Sequence, residues 1–316
     1  MKLSPVSASE LQERSSVSDS RRSFLLGSAG LALAAAASRP LGLLAAEPIP
    51  RPGEPFFKFS LAAYSYRSLL TGERPELTLD DFIRDCAALD LAGAELTSYY
   101  FPPEPTDEYL IGLKKRCFDL GLDVSGTAIR GDFGVQGEAA LQKEIQDVKT
   151  WIDRAAVLGA PAIRIFAGHV PKGADPAAVH TQMVAAIDEC CRHAGGVGIY
   201  LALENHGGPT ATAEGLLSLL RDVKSPWLAA NLDTGNFHSD RIYEEIAEIA
   251  PYAVNVQVKV VVSGPSGKKE PTDYARIAKI LRDSGYRGYV VLEFEEAGDP
   301  RKEVPRHLDE LRAAFA

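Results

Sequence analysis

Residues 199–206 read IYLALENH, and this stretch decides the fold. The unbroken apolar run from Ile199 to Leu203 predicts a strand that is covered on both faces, because a strand with one solvated face alternates apolar and polar residues. The run ends at Glu204, so a charged side chain stands where the strand finishes. The stretch therefore predicts a buried parallel strand with a functional group at its carboxyl end.

Similar apolar runs recur along the chain and alternate with longer amphipathic segments at about 32 residues per strand–helix unit. Eight predicted strands span residues 57–63, 92–96, 122–127, 162–166, 199–203, 228–232, 254–260 and 289–292. Regular alternation indicates parallel strands joined by helices, and a count of eight allows the sheet to close. We therefore expect an α/β fold, a single-domain (β/α)8 TIM barrel over residues 47–316. No GxGxxG or GxxxxGK[ST] motif supports a dinucleotide or P-loop site.

The amino terminus has the pattern of an export signal. Arg21 and Arg22 precede a mildly apolar run from Gly27 to Ala37, as in twin-arginine signals, and this run is too short for a membrane span. We expect residues 1–46 to be a signal peptide and linker that is the only membrane contact. The protein would then be exported to the periplasm or cell envelope. An uncleaved membrane anchor and a disordered basic tail are the alternatives.

The composition is that of an acidic globular protein of 316 residues with a net charge of −9. An acidic chain excludes nucleic acid as an expected partner, because binding to the phosphate backbone depends on basic surface. The four cysteines lie in predicted helices without CxxC spacing, so we expect them to serve in packing.

Oxygen donors stand at the ends of four consecutive predicted strands, namely Glu204, Asp233, Gln257 and Glu293. Strand ends meet at one mouth of a barrel, and three carboxylates there would repel one another unless a cation neutralised them. We expect these four residues to bind one divalent metal ion, with Mn²⁺, Mg²⁺ or Co²⁺ favoured and Zn²⁺ open. Taken singly, each residue could instead be a helix cap or a surface group.

Three segments resemble the sugar phosphate isomerase/epimerase family, whose barrel is xylose isomerase-like. They are ALENHGG at 202–208, NLDTGN at 231–236 and VVLE at 290–293, and the resemblance spans about residues 58–314. The family implies a metal bound by Glu, Asp, His and Glu, with the two glutamates, here Glu204 and Glu293, also transferring the proton. This chain departs at the third ligand, where Gln257 stands in place of histidine.

Further candidates surround this predicted centre. Lys259 points to the same face as Gln257, and we expect it to stabilise an enediolate or to pair with Glu95. Tyr64 follows the first strand as a candidate aromatic wall, and Arg164 is expected to form an ion pair inside the barrel. The predicted substrate-binding residues are His206, Asn236, Glu95, Tyr66, Arg67 and His169.

Two classes of function are compatible with these residues. The first is a metal-dependent isomerase or epimerase that moves a proton beside a carbonyl of a carbohydrate or polyol, with an exported 3-keto-glycoside lyase or dehydratase as the alternative. The second is a non-catalytic carbohydrate-binding protein. A zinc nuclease on the same barrel is disfavoured, because it would need several histidines as zinc ligands, whereas few of the six histidines lie at predicted strand ends, and the chain is acidic. The expected partner is a small carbohydrate, and the sequence leaves open whether the chain forms a homo-oligomer.

Overall fold

The computed structural model describes residues 47–316, in which eight parallel strands close into a barrel. Each strand pairs with its neighbours in chain order, and the last strand of the barrel pairs with the first. This confirms the predicted (β/α)8 fold. The predicted signal peptide lies outside the described residues. The barrel strands are β1 Phe56–Ala62, β2 Gly93–Thr97, β3 Asp123–Ala128, β4 Ala162–Ile165, β5 Tyr200–Glu204, β6 Leu228–Asp233, β7 Ala253–Lys259 and β10 Arg287–Glu293.

Helices follow the strands and form the outer layer. In the described part of the chain they are α1 Arg67–Leu70, α2 Leu79–Ala88, α3 Asp107–Asp119, α4 Glu138–Leu158, α5 Pro176–Val197, α6 Ala213–Asp222, α7 Ile242–Ile249, α8 Tyr274–Asp283 and α9 Pro300–Phe315. Short 3-10 turns occupy Ala63–Tyr66, Ser98–Tyr100, Gly208–Thr210 and Ala250–Tyr252. No helix within residues 47–316 is both long and apolar enough to cross a membrane.

The start of α2 shows how the sequence specifies a helix. Thr78 and Asp81 form a capping box, which satisfies backbone N–H groups that have no partner within the helix. Leu79, Phe82 and Ile83 are buried, and this spacing places them on one face of the helix. The apolar face packs on the barrel, so the hydrophobic core lies mainly between strands and helices.

The helix α5 extends past the point at which the sequence suggests that it ends. Gly195 and Gly196 predict its end, yet the helix continues to Val197 and ends at Gly198, which has a left-handed φ of 76°. Gly195 packs against Trp227, and a Cβ on this glycine would lie 2.5 Å from an indole carbon. The glycine therefore permits a close approach of the indole ring, and the prediction of a helix end there is wrong.

Two smaller features complete the fold. The polar segment after β7 contains a hairpin of β8 Val261–Ser263 and β9 Lys269–Pro271. All four cysteines are free and buried, as predicted for packing residues. Burial raises the pKa of the Cys190 thiol to about 12, which disfavours the reactive thiolate.

Candidate active site

The functional side chains meet at the carboxyl end of the barrel because of the strand register. Asp233 on β6 lies opposite Gln257 on β7, and Glu293 on β10 lies opposite Lys259 on β7. A cavity of about 330 Å³ opens at this mouth. It is lined by Tyr64, Tyr99, Arg130, Arg164, Phe166, Glu204, His206, Lys259, Glu293 and Glu295.

Lys259 lies among three carboxylates. Its Nζ is 3.3 Å from Asp233 Oδ2, 3.4 Å from Glu293 Oε2 and 2.7 Å from Glu295 Oε2. Burial by itself would lower the pKa of Lys259, but the three carboxylates together raise it. Gly235 packs against the lysine stem, where a Cβ would lie 2.6 Å from Lys259 Cδ. The lysine is therefore a fixed positive charge in the cavity wall.

Arg164 forms the predicted ion pair inside the barrel, and its partner is Glu204. Arg164 Nε lies 2.9 Å from Glu204 Oε2, and Arg164 Nη1 donates hydrogen bonds to the Tyr99 hydroxyl and the Ile129 carbonyl. Two amides, those of Asn231 and Asn236, also donate to Glu204. Both oxygens of this carboxylate therefore accept hydrogen bonds from fixed neighbours.

Gln257 and Glu95 form a layer beneath the cavity. Gln257 Nε2 donates to Glu95 Oε1 at 2.7 Å, and its Oε1 accepts from Asn231 at 2.7 Å. Asn255 donates to the second oxygen of Glu95. The pair between Lys259 and Glu95 that the sequence suggested is not formed, because Glu95 lies one layer deeper and pairs with amides instead.

Burial sets the ionisation of the carboxylates in this centre. It raises the pKa of Glu95, Glu204, Asp233 and Glu293 to about 7, because removal from water disfavours the charged form more than the nearby cations favour it. The pKa of His206 is lowered by burial and then by the nearby Arg164 and Lys259 charges, which favours a neutral imidazole.

The fit of a divalent metal ion can be judged from the donor atoms. All four predicted ligands offer oxygen, as a hard cation requires, and Asp233 Oδ2 is buried without a hydrogen-bond partner. Among residues 47–316, however, no three His, Cys, Asp or Glu side chains surround a common metal position. Lys259 Nζ stands between Asp233 and Glu293. The donor chemistry fits the ion. Binding would require the Lys259 ammonium to shift, and the oxygens of Gln257 and Glu204 to turn toward the ion from the amides that now donate to them.

Two predicted substrate-binding residues belong to the centre. The His206 ring lines the cavity and stacks on Phe166 with ring centroids 3.9 Å apart. The Asn236 amide donates to Glu204 Oε1 at 3.0 Å, so it orients that carboxylate. Glu95, also predicted to bind substrate, lies below the cavity, and its pairing with Gln257 makes it a structural neighbour of the site.

Three other predicted residues do not line the cavity. Tyr66 is 1% exposed and packs edge-on against Phe82, so it belongs to the core. Arg67 donates to the carbonyls of Phe294 and Glu295 and holds the segment after β10 in place. His169 is exposed and pairs with Asp132.

Four lining residues were missed by the sequence analysis, namely Tyr99, Arg130, Phe166 and Glu295. Glu295 had a usable signal, because it stands two residues after Glu293. Phe166 and Arg130 follow β4 and β3 closely, at the end of the barrel where active sites form. Tyr99 likewise stands two residues after β2, in a short 3-10 turn.

Comparison with known proteins agrees with this fold. Residues 83–314 match the family described as xylose isomerase-like TIM barrel. Two curated relatives are provisionally named hydroxypyruvate isomerase. The mouse protein is 32% identical over 46% of this chain and 57% of its own length, and the human protein is 28% identical over 55% and 68%. The aligned region thus covers little more than half of the mouse protein and about two thirds of the human protein.

A solved structure shows the same fold at low sequence identity. The D-psicose 3-epimerase from Clostridium cellulolyticum H10 superposes with a TM-score of 0.66 and 16% identity, covering 82% of this chain and 99% of that one. At this identity the likeness establishes the barrel alone.

Proposed function

This chain belongs to the xylose isomerase-like TIM barrel family, and from that premise we propose that it is an isomerase or epimerase. It would move a proton beside a carbonyl of a small carbohydrate or related hydroxy-carbonyl compound. A cavity of about 330 Å³ suits a small molecule, as most ligand pockets are of about 300–1,000 Å³. The names of the two mammalian relatives make hydroxypyruvate the first compound to test.

The observation that carries the proposal is the pair of carboxylates in one cavity. Glu204 and Glu293 both line it, each beside a fixed cation, Arg164 and Lys259 respectively. One carboxylate would remove the proton beside the carbonyl, and the other would return a proton, at the neighbouring carbon in an isomerase or on the opposite face of the same carbon in an epimerase. Once released from one of its three carboxylate partners, Lys259 would donate an N–H to the oxygen on which negative charge develops.

We further propose that one divalent ion assists, held by Glu204, Asp233, Gln257 and Glu293. When bound, such an ion would polarise the substrate carbonyl as a Lewis acid. Its affinity can be measured apart from activity by calorimetric titration of metal-free protein with Mn²⁺. Binding in the wild type that is lost in Asp233→Asn would support the ligand set, and equal affinity in the two proteins would refute it.

The test of function is solvent exchange. Metal-free and Mn²⁺-treated proteins are incubated in D₂O with hydroxypyruvate, a series of ketoses and a 3-keto-glycoside, and the products are examined by NMR. Deuterium at the carbon beside the carbonyl, with an isomerised or epimerised product, is the expected result. Deuterium with an eliminated product would assign a lyase instead. No exchange with any compound would overturn the proposal.

We also propose export, on the basis of the arginine pair at 21–22. The test compares the wild type with an Arg21→Lys, Arg22→Lys double variant after cell fractionation. We expect the wild-type protein in the envelope fraction and the variant in the cytoplasm. Equal distribution of the two proteins would refute the signal.

A further inference from the structure

Arg130 is the cation of the mouth that has no ion-pair partner among the described residues. It follows β3, is exposed, and lies over the Tyr99 ring at 4.7 Å from the ring centroid. It lines the active-site cavity and also an adjoining hollow of about 430 Å³. Among residues 47–316 no carboxylate lies within ion-pair distance of it, and its guanidinium donates no side-chain hydrogen bond.

The other two cations of the cavity already have partners. Arg164 pairs with Glu204, and Lys259 is shared by Asp233, Glu293 and Glu295. An arginine presents a planar set of N–H donors that suits carboxylate and phosphate oxygens in a bidentate manner. Stacking on Tyr99 orients this fork without using its N–H groups. Arg130 is therefore the group in the mouth that is free to bind an oxyanion.

The charges of the cavity also determine which way an anionic substrate would lie. Its inner part holds the carboxylates of Glu204 and Glu293, which repel an anion. Of the two acidic residues of the adjoining hollow, Asp147 pairs with Lys143, and Glu144 accepts a hydrogen bond from the Asp132 backbone N–H but keeps its charge. An anionic group would thus be repelled from the inner carboxylates, and Arg130 is the cation that offers it N–H donors without a partner among residues 47–316.

We propose that Arg130 binds the anionic group of the substrate, a carboxylate or a phosphate, at the outer end of the cavity. The hydroxy-carbonyl end then reaches Glu204 and Glu293. The orientation of that reacting end rests on the proposed function, whereas anion binding by Arg130 stands on the geometry of the mouth alone. The substrate class that follows is a small hydroxy-carbonyl acid or phosphate ester.

The test is calorimetric titration of the whole protein with glycerate, glycerol 3-phosphate and glycerol, which share a skeleton and differ in charge. The wild type should bind at least one anion more tightly than glycerol. Arg130→Gln should weaken binding of that anion about tenfold or more, and Arg130→Lys should recover part of it, because the charge remains but the planar fork is lost. The preferred anion distinguishes a carboxylate from a phosphate substrate.

A matched control is Arg276→Gln. Arg276 also stacks on a tyrosine, Tyr243, at 4.2 Å, but it lies on α8 outside the active-site cavity. This variant should bind the anions as the wild type does. Equal anion binding by Arg130→Gln and the wild type, or no preference of the wild type for an anion over glycerol, would overturn the proposal.

The outcomes also separate this site from the proposed reaction. Anion binding that depends on Arg130 without solvent exchange on any compound would support the site and refute the isomerase. Exchange on neutral sugars without anion binding would support the isomerase or epimerase and refute the anion site. Where both hold, Arg130→Gln should raise KM for the anionic substrate and leave kcat within about twofold, because Arg130 binds away from the reacting carbon.

Discussion

The two ends of the barrel carry the same kinds of charged side chain in opposite surroundings. At the carboxyl end, Lys259 is 12% exposed and lies among Asp233, Glu293 and Glu295. At the amino end, Lys58 and Asp123 form a pair at 2.6 Å with side chains 36% and 59% exposed. Both ends thus pair a lysine with carboxylates, but the groups at the amino end are far more accessible to water.

This difference in exposure shifts the pKa of the carboxylates in opposite directions at the two ends. The pKa of Asp123 is lowered by its hydrogen bonds from Lys58 and Tyr289, since a solvated carboxylate loses little by staying charged. The pKa of Asp233 is raised to about 7, because burial outweighs the attraction of Lys259. Solvent access, more than the presence of a cation, thus decides which end can hold groups suited to proton transfer. The variants below test that conclusion.

Glu293→Gln should have the largest effect. The amide has the shape of the carboxylate but cannot accept the proton, so exchange of solvent deuterium should fall by about 10²–10⁴-fold. The measurement is the NMR exchange assay with the substrate found for the wild type, and circular dichroism checks the fold. Asp123→Asn, the matching change at the amino end, should exchange at the wild-type rate. Unchanged exchange in Glu293→Gln would refute its assignment as an acid–base group.

Lys259→Met should have the next largest effect, on stability. Removing the cation leaves two buried carboxylates uncompensated, so the free energy of unfolding should fall by about 3 kcal/mol. Denaturant unfolding in the presence of a chelator measures it. Lys58→Met should lower the stability by less than about 1 kcal/mol, because an exposed pair contributes little. Equal losses of unfolding free energy in the two variants would show that burial does not distinguish the two ends of the barrel.

The fold was predictable because each strand carries its own signal. The apolar runs located the barrel strands to within one or two residues, as for the first strand, predicted at 57–63 and observed at Phe56–Ala62. The end of α5 was not predictable, because Gly195 meets Trp227 from another part of the chain. A local pattern cannot report such a contact, and the glycine pair therefore looked like a helix end.

The candidate site was predictable in part of its lining and not in most of its pairings. Glu204, Glu293 and Lys259 line one cavity because strand ends must meet in a closed barrel. The partner of Lys259 depends on the register that sets Glu293 opposite it, and a single sequence does not carry that register. Arg130 lies on a loop two residues past the end of β3, so a rule that considers only the last residue of each strand does not select it.

The smallest expected effect concerns pH at the amino end. Because the pKa of Asp123 is lower in the folded protein, its ion pair stabilises the fold above the pKa of the unfolded chain, about 3.8, and this stabilisation is lost as the pH falls below that value. The wild type should therefore exceed Asp123→Asn in unfolding free energy by less than about 1 kcal/mol near pH 6, given the exposure of the pair. The difference should shrink as the pH falls below 3.8 and vanish below the lower pKa that Asp123 has in the folded protein. A difference that grows as the pH falls would mean that burial, rather than hydrogen bonding from Lys58 and Tyr289, governs this carboxylate too, and the contrast between the two ends of the barrel would fail.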